Sequence, residues 1–194
     1  MARMSSIAVF CGSSAGRDEA CVAAAEAFGR RAAEQGVRIV FGGGAVGLMG
    51  VLAQAALKAG GEVVGVIPHF LLGEERARTD LTELIVVGSM HERKARMFDL
   101  ADGFAVLPGG FGTLDEAIEV MTWRQLGLHD KPMVFLDVAG YWQPWFALAG
   151  AVIEQGFAGA RALDLVLRAG DADEAFAALG RAPEPRLRGR PGQL

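Results

Sequence analysis

The sequence predicts an α/β fold: a single Rossmann-like, doubly wound parallel sheet with helices on both faces. Three observations predict it. Short apolar, β-branched runs alternate along the chain with longer segments of helical period, which is the signature of repeated β-α units. Two glycine-rich passages, at 42–50 and 109–112, each follow an apolar run and lead into a helix. Open α/β sheets hold anionic ligands with that arrangement. The 194 residues, 52% of them hydrophobic, suffice for one good core and are too few for two ordinary domains.

Residues 7–11 (IAVFC) make a first buried strand, and Gly12, Ser13 and Ser14 form a small polar turn before a helix over 18–35. The Ser13 hydroxyl is a candidate ligand contact, whereas Ser14 reads first as turn chemistry. Residues 38–41 form the second strand, and the passage from Gly42 to Gly50 opens a helix ending near Ala59. Gly42, Gly44 and Gly47 match G-x-G-x-x-G, but a dinucleotide site also needs an acid about 20 residues on, at the end of the next strand. The third strand, 62–67, runs into Pro68 and His69 instead. Gly43 and Gly44 are therefore read as part of a second mononucleotide-facing nest, and no nicotinamide cofactor is expected.

An irregular charged connection follows over 68–80, carrying Glu74, Glu75, Arg76 and Arg78. The fourth strand is expected at 81–87, a helix from Met90, and the fifth strand at 104–107, which Pro108 stops at once. A helix is expected to open at Thr113, with Leu114, Ile118, Met121 and Gln125 on one face, and a strand at 133–136 follows Pro132. A helix over 141–155 presents Trp142, Trp145 and Phe146 either to the core or to a second subunit. A last strand at 163–167 and a last helix at 173–179 complete one domain over 1–180. Residues 181–194, rich in Pro, Gly and Arg, are expected to be a disordered tail.

A net charge of −4 argues against a polyanion-binding surface, so nucleic acid is not an expected partner. No apolar run reaches the roughly 18 residues of a membrane span, and no signal-peptide pattern opens the sequence. The expectation is a cytoplasmic protein. Cys11 and Cys21 lie outside any CxxC or Cys/His cluster and read as reduced thiols. The three histidines are far apart and share no ligand spacing, so no metal is expected.

The chemistry concentrates in residues 90–116 (MHERKARMFDLADGFAVLPGGFGTLDE). Gly109, Gly110 and Gly112 let successive N–H groups turn inward as an anion-binding nest ahead of a helix N-terminus. Thr113 and Glu116 also match a capping box, which would give Glu116 a purely local role. Three glycines before the cap, at the carboxyl end of a buried strand, point instead to a carboxylate facing a ligand. His91, Arg93, Lys94 and Arg96 put positive charge on the preceding helix, read either as a solvated face or as the complement of a phosphate.

Three motifs resemble the LOG family of cytokinin riboside 5′-monophosphate phosphoribohydrolases, whose bacterial relatives carry the older label "possible lysine decarboxylase". They are Met-His-Glu-Arg-Lys (90–94), Pro-Gly-Gly-Phe-Gly-Thr-Leu-Asp-Glu (108–116) and Thr-Trp-Arg-Gln-Leu-Gly-Leu-His-Asp-Lys-Pro (122–132). The resemblance runs from the first strand to about Phe157. It implies hydrolysis of the N-glycosidic bond of N6-substituted adenosine 5′-monophosphates, with AMP itself a plausible substrate, and no cofactor.

Arg93 and Glu116 correspond to the family's catalytic pair. The carboxylate serves to stabilise an oxocarbenium-like sugar, to orient water or as a base, three roles between which the sequence does not choose. Gly109, Gly110, Phe111, Gly112, Thr113, Leu114 and Asp115 would line the phosphate and sugar, with Lys94 a further contact there. Thr122 matches a threonine near the substrate, and Glu75 a substrate-contacting glutamate when positions are counted back from Arg93 without gaps. Asp115 stands where many relatives have Glu. A homodimer is also implied, with the Met90 and Thr113 helices near the interface. The competing reading is a non-catalytic nucleotide or molybdenum-cofactor binding protein of related fold. A pyridoxal-phosphate decarboxylase has no support, because Lys94 inside a basic cluster does not make a Schiff-base site.

Overall fold

A computed structural model describes residues 4–73 and 77–182. Among the described residues, seven strands form one sheet in the order β4-β3-β2-β1-β5-β6-β7. They are β1 (Ser6–Phe10), β2 (Arg38–Phe41), β3 (Val63–Pro68), β4 (Glu83–Val87), β5 (Gly103–Val106), β6 (Met133–Leu136) and β7 (Leu167–Ala169). Every pairing is parallel. Six α-helices accompany them among the described residues: α1 (Glu19–Glu34), α2 (Gly47–Lys58), α3 (Met90–Leu100), α4 (Phe111–Gln125), α5 (Gln143–Glu154) and α6 (Ala172–Arg181).

The two-residue period of β1 divides the core. Ile7 and Val9 point into a cluster with Phe28 of α1, Leu48 and Leu52 of α2 and Leu179 of α6. Ala8 and Phe10 point the other way, to Met97 and Phe98 of α3, Ala117 and Val120 of α4 and Phe146 of α5. Each large side chain buried in these layers contributes roughly 2–3 kcal/mol. The central strands are apolar on both faces because helices cover both, as the continuous rather than alternating runs implied.

Several boundaries differ from expectation. The run at 163–167 is not a strand: Ala162–Leu165 is a 3-10 turn, and pairing with β6 starts only at Leu167 opposite Val134. An apolar run this short does not distinguish a packed turn from a strand. Helix α5 starts later than Tyr141 because Ala139 and Gly140 take φ of 49° and 76° and Pro144 occupies the first turn. Trp142 and Phe146 belong to the core, and Trp145 stacks on Phe135 at 4.6 Å between ring centroids. On α4 the buried face is Thr113, Ala117 and Val120, with Ile118 and Gln125 exposed, so the expected stripe is displaced around the helix. Arg181 closes α6, and the expected tail from 183 onward lies outside the described residues. Among the described residues no helix is long and apolar enough to cross a membrane.

Candidate active site

From β1 the chain moves outward through β2, β3 and β4, then returns to β5 on the other side of β1. The point of reversal, between the carboxyl ends of β1 and β5, is where open α/β sheets take their ligands. Here the two loops touch. The Gly12 N–H donates to Pro108 O at 3.0 Å, and a Cβ on Gly109 would stand 2.9 Å from Gly12 N.

The loop after β5 enters its helix earlier than the capping pattern suggested. Gly110 is the N-cap, and no side chain caps the helix. Thr113 is the third helical residue, buried, with its hydroxyl packed where a Gly109 side chain would be. Glycine is an acceptable N-cap, and it lets the chain turn into the helix three residues upstream of the threonine. Glu116 then falls in the second turn, so the capping box does not exist and its local explanation for Glu116 falls with it.

Three of the other helices are capped by a side chain. Asp18, Ser89 and Asp171 each accept from a first-turn amide, at 2.9, 3.1 and 2.8 Å. On α2, Leu48 and Met49 donate to Gly12 O at 3.0 and 3.3 Å. On α5, Pro144 removes a donor. The first-turn amides of α4, those of Phe111, Gly112 and Thr113, are donors a helix cannot satisfy itself, at the positive end of its dipole.

Arg93 reaches this region from α3. It is 5% exposed, its Nη2 donates to Gly42 O at 2.9 Å, and its guanidinium fills the space a side chain at position 42 would need. Gly42 is thus glycine to seat the arginine at the end of β2. Glu116 is half-buried, and its charge is felt at Cys11, the residue after β1: burial first, then Glu116, raises the Cys11 thiol pKa far above its ordinary value. The thiol is held protonated and is no nucleophile.

Lys94 is held between Asp115 at 3.1 Å and Glu119 at 2.9 Å, tying α3 to α4. Burial pushes its pKa down, but the hydrogen bonds and charges of the two acids outweigh that and leave it raised. A lysine kept this firmly as ammonium is the opposite of a Schiff-base amine. His91 and Arg96 are exposed, so the basic cluster divides between one buried arginine, one clamped lysine and a solvated face.

Thr122 is exposed on α4, and its hydroxyl donates to Ile118 O at 2.7 Å. Ser13 is exposed in the β1 loop, and Ser14 accepts from the Gly16 N–H at 3.3 Å, which is turn chemistry. Leu114 packs against the core and Phe111 is 91% exposed. Gly44 bridges to Ala77, and Gly43 O accepts from the Arg78 N–H at 2.9 Å, which pins the end of the 68–80 connection against the first glycine loop. Glu75 lies outside the described residues.

Sequence reading missed Tyr141, whose hydroxyl donates to Gly109 O at 2.6 Å. Its position just past β6, beside β5 and on the ligand edge of the sheet, is the signal that points to it.

The fold and this site define the class: a Rossmann-like α/β protein with a phosphate-type glycine loop at its switch point. Residues 49–179 match the family described as "possible lysine decarboxylase". A cytokinin riboside 5′-monophosphate phosphoribohydrolase of Rhodococcoides fascians is 46% identical, covering 92% of this chain and 90% of that protein. An enzyme of the same name from Arabidopsis thaliana is 42% identical over 87% of this chain and 79% of its own length. The chain belongs to the LOG family. Among solved structures, the molybdenum cofactor carrier protein of Chlamydomonas reinhardtii superposes with a TM-score of 0.70, at 24% identity over 93% of this chain and 98% of that one. At that identity the likeness speaks for the fold.

Proposed function

We propose that the protein hydrolyses the N-glycosidic bond of N6-substituted adenosine 5′-monophosphates, releasing the free base and ribose 5-phosphate. The observation that carries this reading is the helix start at Gly110, which leaves α4 without a side-chain cap and Glu116 without a capping role. The names of relatives at 42% and 46% identity support the same reaction.

The 5′-phosphate binds at the amides from Gly110 to Thr113, where helix dipole and N–H groups favour an anion. That handle holds the ribose so that binding energy far from the reacting carbon positions the scissile bond. As the bond to the base lengthens, positive charge builds on the sugar, and Glu116 offsets it and orients the incoming water. Arg93, anchored on Gly42 O, orients substrate and carboxylate. Lys94 keeps α3 and α4 in register through Asp115 and Glu119, so Arg93 and Glu116 keep their relative placement. Ser13, Gly43, Gly44 and Thr122 line the approaches rather than the reacting centre.

A cytoplasmic homodimer is part of the same reading. Supporting it, Phe111, Ile118 and Leu126 of the α4 segment and Leu148, Val152 and Phe157 of the α5 segment are exposed apolar side chains. Both helices pack on the same face of the sheet, and burial of this surface against a second copy would remove it from water. The deciding experiment incubates purified protein with AMP and with isopentenyl-AMP and detects free base chromatographically, using Glu116→Gln as control. Release by the wild type alone is expected. Tight binding of either nucleotide with no release would make the protein a nucleotide-binding module instead.

A further inference from the structure

The turn that delivers Tyr141 has an unusual backbone. Ala139, at φ 49°, is the sole non-glycine residue with positive φ among the described residues, and Gly140 follows at 76°. A non-glycine residue held there costs on the order of 1 kcal/mol or more and persists only where neighbours over-determine it. They do so through Asp137. Its Oδ1 accepts from the Trp142 N–H at 2.7 Å, and its Oδ2 from Gln143 Nε2 at 3.0 Å and Arg168 Nη2 at 2.9 Å. The Trp142 ring then packs edge-on against Phe135, with centroids 5.4 Å apart.

A helix start does not require this turn. What it does is bring Tyr141 back across the end of β6, so that its hydroxyl donates to Gly109 O at 2.6 Å while the residue stays 46% exposed. Gly109–Gly110 is a trans peptide, in which the carbonyl and the following N–H point in opposite directions. A hydrogen bond that fixes the Gly109 carbonyl therefore fixes the direction of the Gly110 N–H, and points it away from the tyrosine. Two consecutive glycines have the least intrinsic reason to hold one peptide orientation. Gly109 is packed against Thr113 and Gly12, but a Cβ at Gly110 would meet no atom within 4 Å, so packing constrains only the first half of this peptide.

We propose that Tyr141 is a positioning residue for the phosphate loop, holding the Gly109–Gly110 peptide so that the Gly110 N–H is aimed in advance at the 5′-phosphate. The inference rests on the phosphate assignment made above. Preorganised donors bind an anion without reordering at each encounter, so the effect falls on binding of the phosphate group and not on the bond-breaking step.

The test is Tyr141→Phe, which removes the hydroxyl and keeps the ring, with melting temperature measured to establish that the variant folds. The expected result is a KM for isopentenyl-AMP higher by roughly threefold to tenfold, the worth of one hydrogen bond, with kcat within about twofold. Inhibition by ribose 5-phosphate should weaken by the same factor. Turnover of isopentenyladenosine, which lacks the phosphate, should be unchanged by the substitution. An unchanged KM, a loss confined to kcat, or an equal loss on the nucleoside would overturn the proposal. Calorimetric titration with ribose 5-phosphate separates this question from hydrolysis: weaker binding to Tyr141→Phe supports the positioning role even in a protein that cleaves nothing. Equal or absent binding to both proteins refutes it.

Discussion

The loops after β2 and β5 each carry several glycines behind a buried parallel strand and lead into a helix, yet the fold uses them differently. In the first, a Cβ at Gly47 would run into the backbone of Ser13, one at Gly50 into Ala45 O and one at Gly42 into the Arg93 guanidinium. The amides that open α2 are spent on Gly12 O. In the second, only Gly109 is crowded; a Cβ at Gly110 or Gly112 would meet nothing within 4 Å, and no side chain caps α4. The first loop is glycine-rich so that the chain can pack on itself and seat an arginine. The second is glycine-rich beyond what its own packing requires, which is the expectation for backbone that another molecule approaches.

The strongest way to sharpen this contrast is Glu116→Gln, which leaves both loops intact and removes the charge behind the open one. Turnover of isopentenyl-AMP should fall by roughly 10²- to 10⁴-fold with nucleotide affinity retained, read from kcat and an independent binding titration. Unaltered turnover would leave the second loop with no chemical role.

Next in size is a pair of glycine substitutions. Gly47→Ala forces a side chain into a φ of 61° and into the Ser13 backbone, and should cost about 2 kcal/mol or more in a denaturant titration. Gly112→Ala, inside the first turn of α4 with open space around it, should be neutral or stabilise by up to about 1 kcal/mol. Its penalty should appear instead as a raised KM. Equal stability losses at the two positions would erase the distinction between the loops.

The smallest effect concerns the frame that carries α4. His129 is buried, its Nε2 lies 2.9 Å from Val120 O, and its Nδ1 accepts from the Lys131 N–H at 3.1 Å. Burial pushes its pKa below the ordinary 6.5, opposed by the hydrogen bond at Val120 and reinforced by the charges of Lys131 and Arg124. The depressed value means that the unfolded chain takes up the proton first. The stability this residue protects is complete above about pH 6.5 and is lost as pH falls below it. Melting temperature should therefore drop between pH 7 and pH 5, and His129→Gln should flatten that slope.

Much of the architecture was legible along the chain. β2 and β6 fall at the predicted residues, because short runs such as RIVF and MVFL flanked by glycine or proline have few other uses. The second motif located the open loop, and the first carried Arg93, which the structure buries beside Met97 and Phe98 on the inward face of α3. The capping pattern at Thr113 misled because it is a local rule, while the helix start was decided by where the chain leaves β5 and by the glycine available at 110. The charge of Lys94 is visible in the sequence, whereas the two acids of α4 that hold it are visible only in the structure.

The sequence by itself determined the β-α alternation, the parallel sheet and the family, since periodicity, glycine placement and ordered motifs are properties of the chain taken in line. Only the tertiary structure decided which glycine loop is packed shut and which stays open, and that a tyrosine about thirty residues away holds the open one. The physical reason is that hydrogen-bond saturation and excluded volume depend on neighbours. Gly12 closes α2, Arg93 fills Gly42 and Tyr141 reaches Gly109 across gaps in sequence that no local pattern spans.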